Sequence, residues 1–281
     1  MTIFTNGTVQ IDAVLNGDFD ATVQGFVPVL TRAAAGLPVK IVDVVDNSGS
    51  TYVIVGKKSI TNVEGLKGKM VGVNRASNYD YFLTQALQKY GMKETDLKIV
   101  NFPDPAKSQS AFLAGQLDAI VPITTNTNAI LKQRSDAAII FKAADFASAP
   151  NPSSTPFAIY DLVTTTSGVL QKKGSALAKL SSVFHSKVHD YITSPATQSA
   201  AIDDLYAWQQ DVVKATVTKD DILASIKTTQ FYDQTEAAQI VGGGELVSNL
   251  KAISQFLVSS GVLKQAPDVA SIVDASLFKA S

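Results

Sequence analysis

Short polar segments that could bind a small anion precede several helical stretches of the chain. Each places glycine, hydroxyl or amide residues at a helix start, where unpaired N–H groups and a partial positive charge favour an anionic head group. Hydroxyl and amide side chains add further donors and acceptors. The candidate ligand-binding residues are Asn6, Gly7, Thr8, Gln24, Gly25, Phe26, Ser77, Asn78, Tyr79, Thr124 and Thr125.

Each of these segments also has a purely structural interpretation. Phe26 could cover an apolar part of a ligand, or it could pack in a core. Ser77 and Asp80 have the spacing of a capping box at the start of a helix. Thr124 and Thr125 could have no role beyond capping a helix, and the same holds for the residues around Gly7. The residue types leave both interpretations open.

Other chemistry has weaker support in the sequence. The chain has no cysteine, which excludes a disulfide framework, a thiolate metal site and a Cys nucleophile. His185 and His189 have a spacing that can bind zinc, but no glutamate follows His185 and no third ligand is evident. The segment "VGGGELVSNL" lacks the lysine of a phosphate loop and predicts a helix start. No nucleophile, base and acid form a set, so we expect no catalysis, no metal and no cofactor.

The composition favours a folded protein with a small partner. A chain of 281 residues can form two lobes, and 46% apolar with 17% charged residues is typical of folded domains. The chain has 24 basic and 25 acidic residues, so no net field favours nucleic acid or an anionic membrane. We expect no membrane span, because no apolar run reaches about 20 residues. The segment "MTIFTNGTVQID" lacks the pattern of a signal peptide.

Runs rich in Val and Ile alternate with segments of helical period up to about Thr166, which predicts an α/β protein with largely parallel sheets. After Thr166 the sequence predicts mainly helices, one of them starting at Ser194 with Pro195 in the first helical position. The strand candidates are "TIFT", "DATVQ", "KIVDVV", "TYVIVG", "MVGV", "KIVNF", "DAIVP", "AAIIF" and "FAIYDLV".

Two segments nearly repeat each other: "AVLNGDFDA" from Ala13 and "AFLAGQLDA" from Ala111. In both, a helix should end at a glycine, Gly17 or Gly115, which tolerates the left-handed backbone found after a helix. The chain should then enter a strand through the shared Asp-Ala, which is Asp20-Ala21 in one copy and Asp118-Ala119 in the other. The repeat predicts two similar α/β lobes with one copy in each, although coincidence is the alternative because such junctions are common.

Three segments carry a resemblance to a known family: "AVLNGDFDATVQGFVPVLTRAAAGLPVKIV", "LKGKMVGVNRASNYDYFLTQALQKYGM" and "AFLAGQLDAIV". They resemble the substrate-binding proteins of ABC importers for sulfonates, nitrate, taurine and thiamine pyrimidine precursors. The resemblance covers most of residues 1–141, and the segment "SSGVLKQAPDVASIVDASLF" is similar to the C-terminal end of that family. Relative to the family, an N-terminal strand and helix are expected to be missing from this sequence.

The resemblance implies a two-lobed α/β fold, that of type 2 periplasmic binding proteins, with a ligand cleft between the lobes. Lobe one would comprise residues 1–60 and 161–281, and lobe two residues 61–160. The chain would cross between them near residues 56–63 and 157–164.

The resemblance also implies roles for individual residues. Ser77, Asn78 and Tyr79 match the anion-contacting turn of the family, and Arg75 stands where relatives often have a basic residue. Several relatives have Trp-Asp-Pro near Ile123, whereas this chain has small hydroxyl residues there. The missing carboxylate favours an anion or a neutral polar molecule over a zwitterion such as taurine.

The expected function is capture of a small anionic or polar solute, such as a sulfonate or nitrate, for an ABC permease. The protein would be a monomer without nucleic-acid partners, either periplasmic or extracellular and membrane-associated. One alternative is an enzyme related to pyrimidine-precursor synthesis, which the absence of cysteine disfavours. Another is the ligand-sensing domain of a regulator, but no helix-turn-helix or basic face is evident.

Overall fold

The computed structural model describes residues 7–122, 124–150, 157–213 and 217–279. The strands are β1 (Thr22–Gln24), β2 (Val39–Asn47), β3 (Val53–Lys57), β4 (Met70–Val73), β5 (Lys98–Asn101), β6 (Ala119–Ile120), β7 (Ala137–Lys142), β8 (Tyr160–Thr166) and β9 (Gln230–Phe231). The predicted strand "TIFT" and the candidate Asn6 lie outside the described residues.

The helices lie between these strands and in the last third of the chain. They are α1 (Gly7–Leu15), α2 (Phe26–Ala34), α3 (Asn78–Lys89), α4 (Pro105–Leu113), α5 (Thr124–Gln133), α6 (Ser167–Val183), α7 (His189–Thr193), α8 (Gln198–Trp208), α9 (Lys219–Thr228), α10 (Gln234–Gly242), α11 (Glu245–Ser259) and α12 (Val269–Ile272). Within the described residues, none of these helices has the length and apolar character that a bilayer crossing requires.

Contacts divide the chain into two compact units. The first contains Met1–Asn47, Ile159–Thr197 and Gln230–Ser281, and the second contains Ser48–Ala158 and Gln198–Thr229. This grouping differs from the predicted lobes mainly at 48–60 and 198–229, which fall in the second unit. A hydrogen bond of 3.1 Å from Asn128 on α5 to Asp221 on α9 is one contact that joins the late helices to the second unit.

The sheet of the first unit has the strand order β1-β8-β2-β9, and its described neighbours are all antiparallel. The prediction of largely parallel sheets is therefore wrong for this unit. The reason is that β8, which is remote in sequence, lies between β1 and β2 and is antiparallel to both. Helix α6 packs on this sheet through a buried cluster that includes Val42, Leu177 and Leu277.

The sheet of the second unit has the order β5-β4-β6-β3-β7, and two of its four neighbouring strand pairs are parallel, so the prediction of largely parallel sheets holds for only half of this sheet. Strand β4 pairs in parallel with β5 and β6, whereas β3 runs antiparallel to β6 and β7. From β4 the chain passes through α3 to β5, toward one edge of the sheet, whereas from β6 it passes through α5 to β7, at the opposite edge. The direction in which the chain moves across the sheet therefore reverses between β4 and β6. The core here includes Val55, Phe112, Ile120 and Ile130.

The repeated segments form the same structure in the two units, which confirms the predicted helix, glycine and strand. Helix α1 is followed by Gly17 with φ of 86°, and α4 by Gly115 with φ of 78°. The shared aspartates also have similar partners. Lys173 lies 2.7 Å from Asp20 and Lys57 lies 2.6 Å from Asp118.

The late helices differ from the prediction at one start and agree at another. Pro195 does not begin a helix, because residues 194–197 form a turn in which Thr197 N–H donates to the Ser194 carbonyl (3.1 Å), and α8 begins at Gln198. The glycine run does precede a helix, and Gly244 is the N-cap residue of α11 with φ of 88°. A π-helical turn at Phe184–Val188 joins α6 to α7.

Candidate anion-binding site

The start of α3 in the second unit is a tightly organised turn. Ser77 is the N-cap residue, and its Oγ accepts from the Tyr79 N–H (3.2 Å) while donating to the Asn74 carbonyl (2.6 Å). The N–H groups of Asn78 and Asp80 have no acceptor within the helix. They are the groups that an anionic head group could bind at this position.

The buried carboxylate of Asp80 stabilises this turn through two hydrogen bonds. Its side chain is 1% exposed and accepts from the Ala76 N–H (2.9 Å) and from Arg75 Nη1 (2.8 Å). Ser77 does cap the helix, but the predicted capping box is wrong, because Ser77 Oγ bonds to the N–H of Tyr79 and not of Asp80, and Asp80 bonds to the N–H of Ala76 and not of Ser77. Burial raises the pKa of Asp80 to about 6, although the bonds from Ala76 and Arg75 oppose that rise.

Two further features show that the turn is preorganised. Ala76 has a φ of 57°, a left-handed conformation that costs a non-glycine residue about 1–2 kcal/mol and that clusters at functional sites. The guanidinium of Arg75 also lies 2.7 Å from Glu94. Because Arg75 is paired with two carboxylates, it is not available as a simple clamp for an anion.

An aromatic group lies beside the turn. The rings of Tyr79 and Tyr52 meet edge to face at 5.2 Å between centroids, and Tyr52 also contacts Phe82 at 6.0 Å. Tyr52 is 6% exposed, so it fixes the orientation of Tyr79 by packing. Tyr52 is not recognisable as part of this turn from the sequence, because no local pattern connects it with Tyr79, 27 positions away.

The start of α5 lies at the same edge of the sheet. Strands β4 and β6 are parallel neighbours, with Gly72 opposite Ile120, so their carboxyl ends and the helices that follow share one edge. Thr124 and Thr125 provide the first two residues of α5. In open α/β sheets the point where strand order reverses is the usual place for a ligand. The structure thus brings the two predicted segments of the second unit to one such point.

In the first unit, the start of α1 lies against the start of α2. A Cβ placed on Gly7 would be 2.9 Å from Pro28 Cγ and 3.3 Å from Gln24 Oε1, so the backbone is close to both side chains. Gln24 is 7% exposed and donates to Thr164 Oγ1 at 3.3 Å. Its Oε1 has no hydrogen-bond partner among the described residues, which is costly for a buried acceptor.

The other candidates of the first unit have mixed outcomes. Gly25 is the N-cap residue of α2 and makes no side-chain cap, so the helix start depends on its backbone alone. Phe26 is 1% exposed, so its position is set by packing in the core. The structure does not describe the side chains of three other candidates, Thr8, Thr124 and Thr125.

The two histidines do not form a metal site in the part of the chain that the structure describes. His185 Nε2 lies 3.0 Å from both carboxylate oxygens of Asp43, and its Nδ1 lies 2.8 Å from the Tyr232 carbonyl oxygen. His189 pairs with Asp190 at 3.1 Å. Within the described residues no group of three potential metal ligands was found.

Comparisons with known proteins agree with this architecture. The chain is 32% identical over 117 residues to a binding protein of Brucella abortus (strain 2308), a match that covers 42% of this chain and 35% of that protein. It is 29% identical over 129 residues to the taurine-binding periplasmic protein of Escherichia coli (strain K12), covering 46% and 40% respectively. The matched segments span less than half the length of these curated relatives.

The fold is also that of a solved binding protein. The periplasmic aliphatic sulphonate binding protein of Escherichia coli superposes with a TM-score of 0.72 and 19% identity, covering 98% of this chain and 87% of that chain. This confirms the predicted periplasmic-binding-protein fold. Residues 3–205, more than half of the chain, match the family model described as NMT1/THI5 like. The chain therefore belongs to the NMT1/THI5-like family.

Proposed function

We propose that this protein is the solute-binding component of an ABC importer and binds a small anionic or polar organic solute. The family and the fold support this proposal, as does the similarity to a taurine-binding and to an aliphatic sulphonate binding protein of Escherichia coli. The protein acts outside the cytoplasm as a monomer and delivers its solute to a permease in the membrane. The ligand-binding residues remain those named from the sequence.

The observation that carries the proposal is the shared edge of β4 and β6. Two helices begin there, and the N–H groups of Asn78 and Asp80 have no acceptor within their helix. Such an edge favours a compact anion without a basic side chain, since the partial charge of the helix start supplies the attraction. The pairing of Arg75 with Asp80 and Glu94 supports the same mode of binding.

We propose binding without chemical conversion of the solute. Ser181, His185 and Asp43 are residue types found in hydrolase triads, but their geometry differs from that of a triad. Ser181 Oγ donates to Asp43 Oδ2 at 2.7 Å, and the imidazole also contacts Asp43 and not the serine. A triad needs a hydrogen bond between serine and histidine to activate the nucleophile.

The test is calorimetric titration with taurine, methanesulfonate, nitrate and a neutral sulfonamide. The diagnostic variant is Asn78→Asp, which places a negative charge at the start of α3 with little change in size. It should weaken anion binding about tenfold or more, because the charge repels the ligand and competes for the same N–H groups.

The matched control is Asn62→Asp, also in the second unit. Asn62 is exposed and its Oδ1 accepts from the Gly65 N–H at 3.0 Å, a bond that aspartate keeps. Affinity should change less than about twofold in this variant. If no compound binds, or if both variants weaken binding equally, the proposed site is wrong.

A further inference from the structure

The carboxylate of Asp80 lies within the same turn that carries the proposed anion site of the second unit. Asp80 is the third residue of α3, and its side chain folds back to accept from the Ala76 N–H at 2.9 Å. Ala76 is only two residues before Asn78, whose N–H group belongs to the site. Because the side chain of Asp80 is buried, water would screen it poorly from a bound anion. An ionised Asp80 therefore opposes the anion that the turn would bind.

Arg75 provides positive charge beside Asp80, but this charge is shared between two carboxylates. Arg75 Nη1 lies 2.8 Å from Asp80 Oδ1 and 2.7 Å from Glu94 Oε2. Glu94 belongs to the short 3-10 turn Glu94–Asp96 and also accepts from Thr84 Oγ1. Among the described residues, Arg75 and Glu94 are the charged groups that act on Asp80. One cation beside two carboxylates leaves a net negative charge, to which a bound anion would add another.

Protonation of Asp80 would remove this excess charge and keep the turn in place. A neutral carboxyl group retains a carbonyl oxygen, which can still accept from the Ala76 N–H. Arg75 would lose its bond to Asp80 but keep its pairing with Glu94, so more of its positive charge would act on the anion. Burial raises the pKa of Asp80 to about 6, which brings its titration close to neutral pH.

We propose that Asp80 couples anion binding to the uptake of a proton, so that the protein binds its anion more tightly in mildly acidic solution. This inference rests on the proposed function, because it concerns the same helix start. Linkage is reciprocal, so a bound anion raises the pKa of Asp80 by the free energy with which protonation favours the anion. Affinity is then highest below about pH 6 and falls as pH rises from the pKa of the unliganded protein to that of the complex. Above the second pKa it is constant again.

The experiment is calorimetric titration of the full chain with methanesulfonate and with nitrate between pH 5 and pH 8. Both anions stay ionised over this range, so a pH dependence of their affinity comes from the protein. Affinity should rise about tenfold or more from pH 8 to pH 5, because each unit of pKa shift is a factor of ten. At pH 7, titration in buffers of different ionisation enthalpy should show uptake of a fraction of a proton per bound anion. Neutral methanesulfonamide should show neither effect.

The diagnostic variant is Asp80→Asn, because asparagine keeps an oxygen for the Ala76 N–H but cannot be ionised. At pH 8 it should bind methanesulfonate at least as tightly as the wild type, and it should lose both the pH dependence and the proton uptake. Glu94→Gln removes a negative charge that raises the pKa of Asp80, so the fall in affinity should move to lower pH. A purely structural role of Glu94 would not move it.

The matched control is Asp136→Asn, also in the second unit. Asp136 is exposed and pairs with Arg134 just before β7. Strand β7 runs in the same direction as β4, so its first residues lie at the edge of the sheet opposite the start of α3. This variant should keep the pH dependence of the wild type, with affinities changed less than about twofold.

The outcomes separate this inference from the proposed function. If neither anion binds at any pH, the anion site is wrong and the coupling falls with it. Anion binding with a flat pH profile and no proton uptake would refute the coupling alone. Weaker binding by folded Asp80→Asn at every pH would show that the charge of Asp80 only shapes the turn, which also refutes it. Thermal unfolding shows whether each variant is folded, and if Asp80→Asn is not, the pH profile of Glu94→Gln decides.

Discussion

His185 and Asp43 form a buried ion pair in the core of the first unit. The imidazole Nδ1 faces the Tyr232 carbonyl oxygen, which can only accept a hydrogen bond, so Nδ1 carries a proton. Nε2 lies 3.0 Å from both oxygens of the Asp43 carboxylate and must also donate. A ring that donates from both nitrogens is an imidazolium. His185, whose spacing from His189 could have indicated a zinc site, therefore has a structural role.

Removing one partner of this pair should destabilise the protein strongly. His185→Leu leaves the Asp43 carboxylate buried without its countercharge, and such changes cost about 3–5 kcal/mol in the free energy of unfolding. Urea denaturation measures the loss. Addition of Asp43→Asn to His185→Leu should recover part of it. The control is His189→Leu, which removes a pair with a largely exposed Asp190 and should cost less than about 1 kcal/mol.

The same pair should make stability depend on pH. Burial lowers the pKa of His185, but the hydrogen bond and charge of Asp43 outweigh it and raise the pKa above its ordinary value, with a further contribution from Asp233. The stabilisation is therefore complete below about pH 6.5, the pKa of the unfolded chain, and is lost as pH rises through the folded pKa. Urea unfolding between pH 6 and pH 9 should show the gap between wild type and His185→Leu narrowing. A constant gap would contradict the assignment.

Asp46 should contribute a second pH dependence, from a protonated carboxyl group. Burial and the neighbouring Asp161 raise its pKa well above the ordinary value, and its Oδ1 has no partner among the described residues. The folded state keeps a proton that the unfolded chain releases near pH 4, so stability falls as pH rises from there toward the folded pKa. Asp46→Asn should raise the free energy of unfolding at pH 7 by about 1 kcal/mol or more.

The control for this change is Asp18→Asn, at an exposed position that should leave stability within about 0.5 kcal/mol. If Asp46→Asn destabilised the protein at pH 7, the native carboxyl group would be ionised and better solvated than this geometry allows.

The two glycines that end the repeated helices should resist replacement. Gly17 and Gly115 have φ of 86° and 78°, and a Cβ on either would meet nothing within 4 Å, so only backbone strain opposes alanine. Gly17→Ala and Gly115→Ala should each cost about 1 kcal/mol in thermal or urea unfolding. Gly168→Ala, within the first turn of α6, lacks positive φ and should stabilise by about 0.4–1 kcal/mol. Equal effects at the three positions would refute the conformational argument.

The sequence alone determined the local elements and the family. Unbroken Val and Ile runs predicted the strands, because buried strands need apolar side chains on both faces. The glycine after each repeated helix predicted the junction, since few other residues tolerate the left-handed backbone there. The segments around Gly17, Ser77 and Gly115 were sufficient for the resemblance to periplasmic binding proteins, and the family match confirms it.

Only the tertiary structure decided which elements are neighbours. Strand β8 lies between β1 and β2 although it follows them by more than 100 residues, and no local pattern specifies that pairing or its antiparallel direction. The partners of single polar groups were likewise beyond the sequence. Glu94 pairs with Arg75 and Asp43 pairs with His185 across large separations in the chain, because folding selects partners by proximity in space and by the cost of burying an unpaired charge.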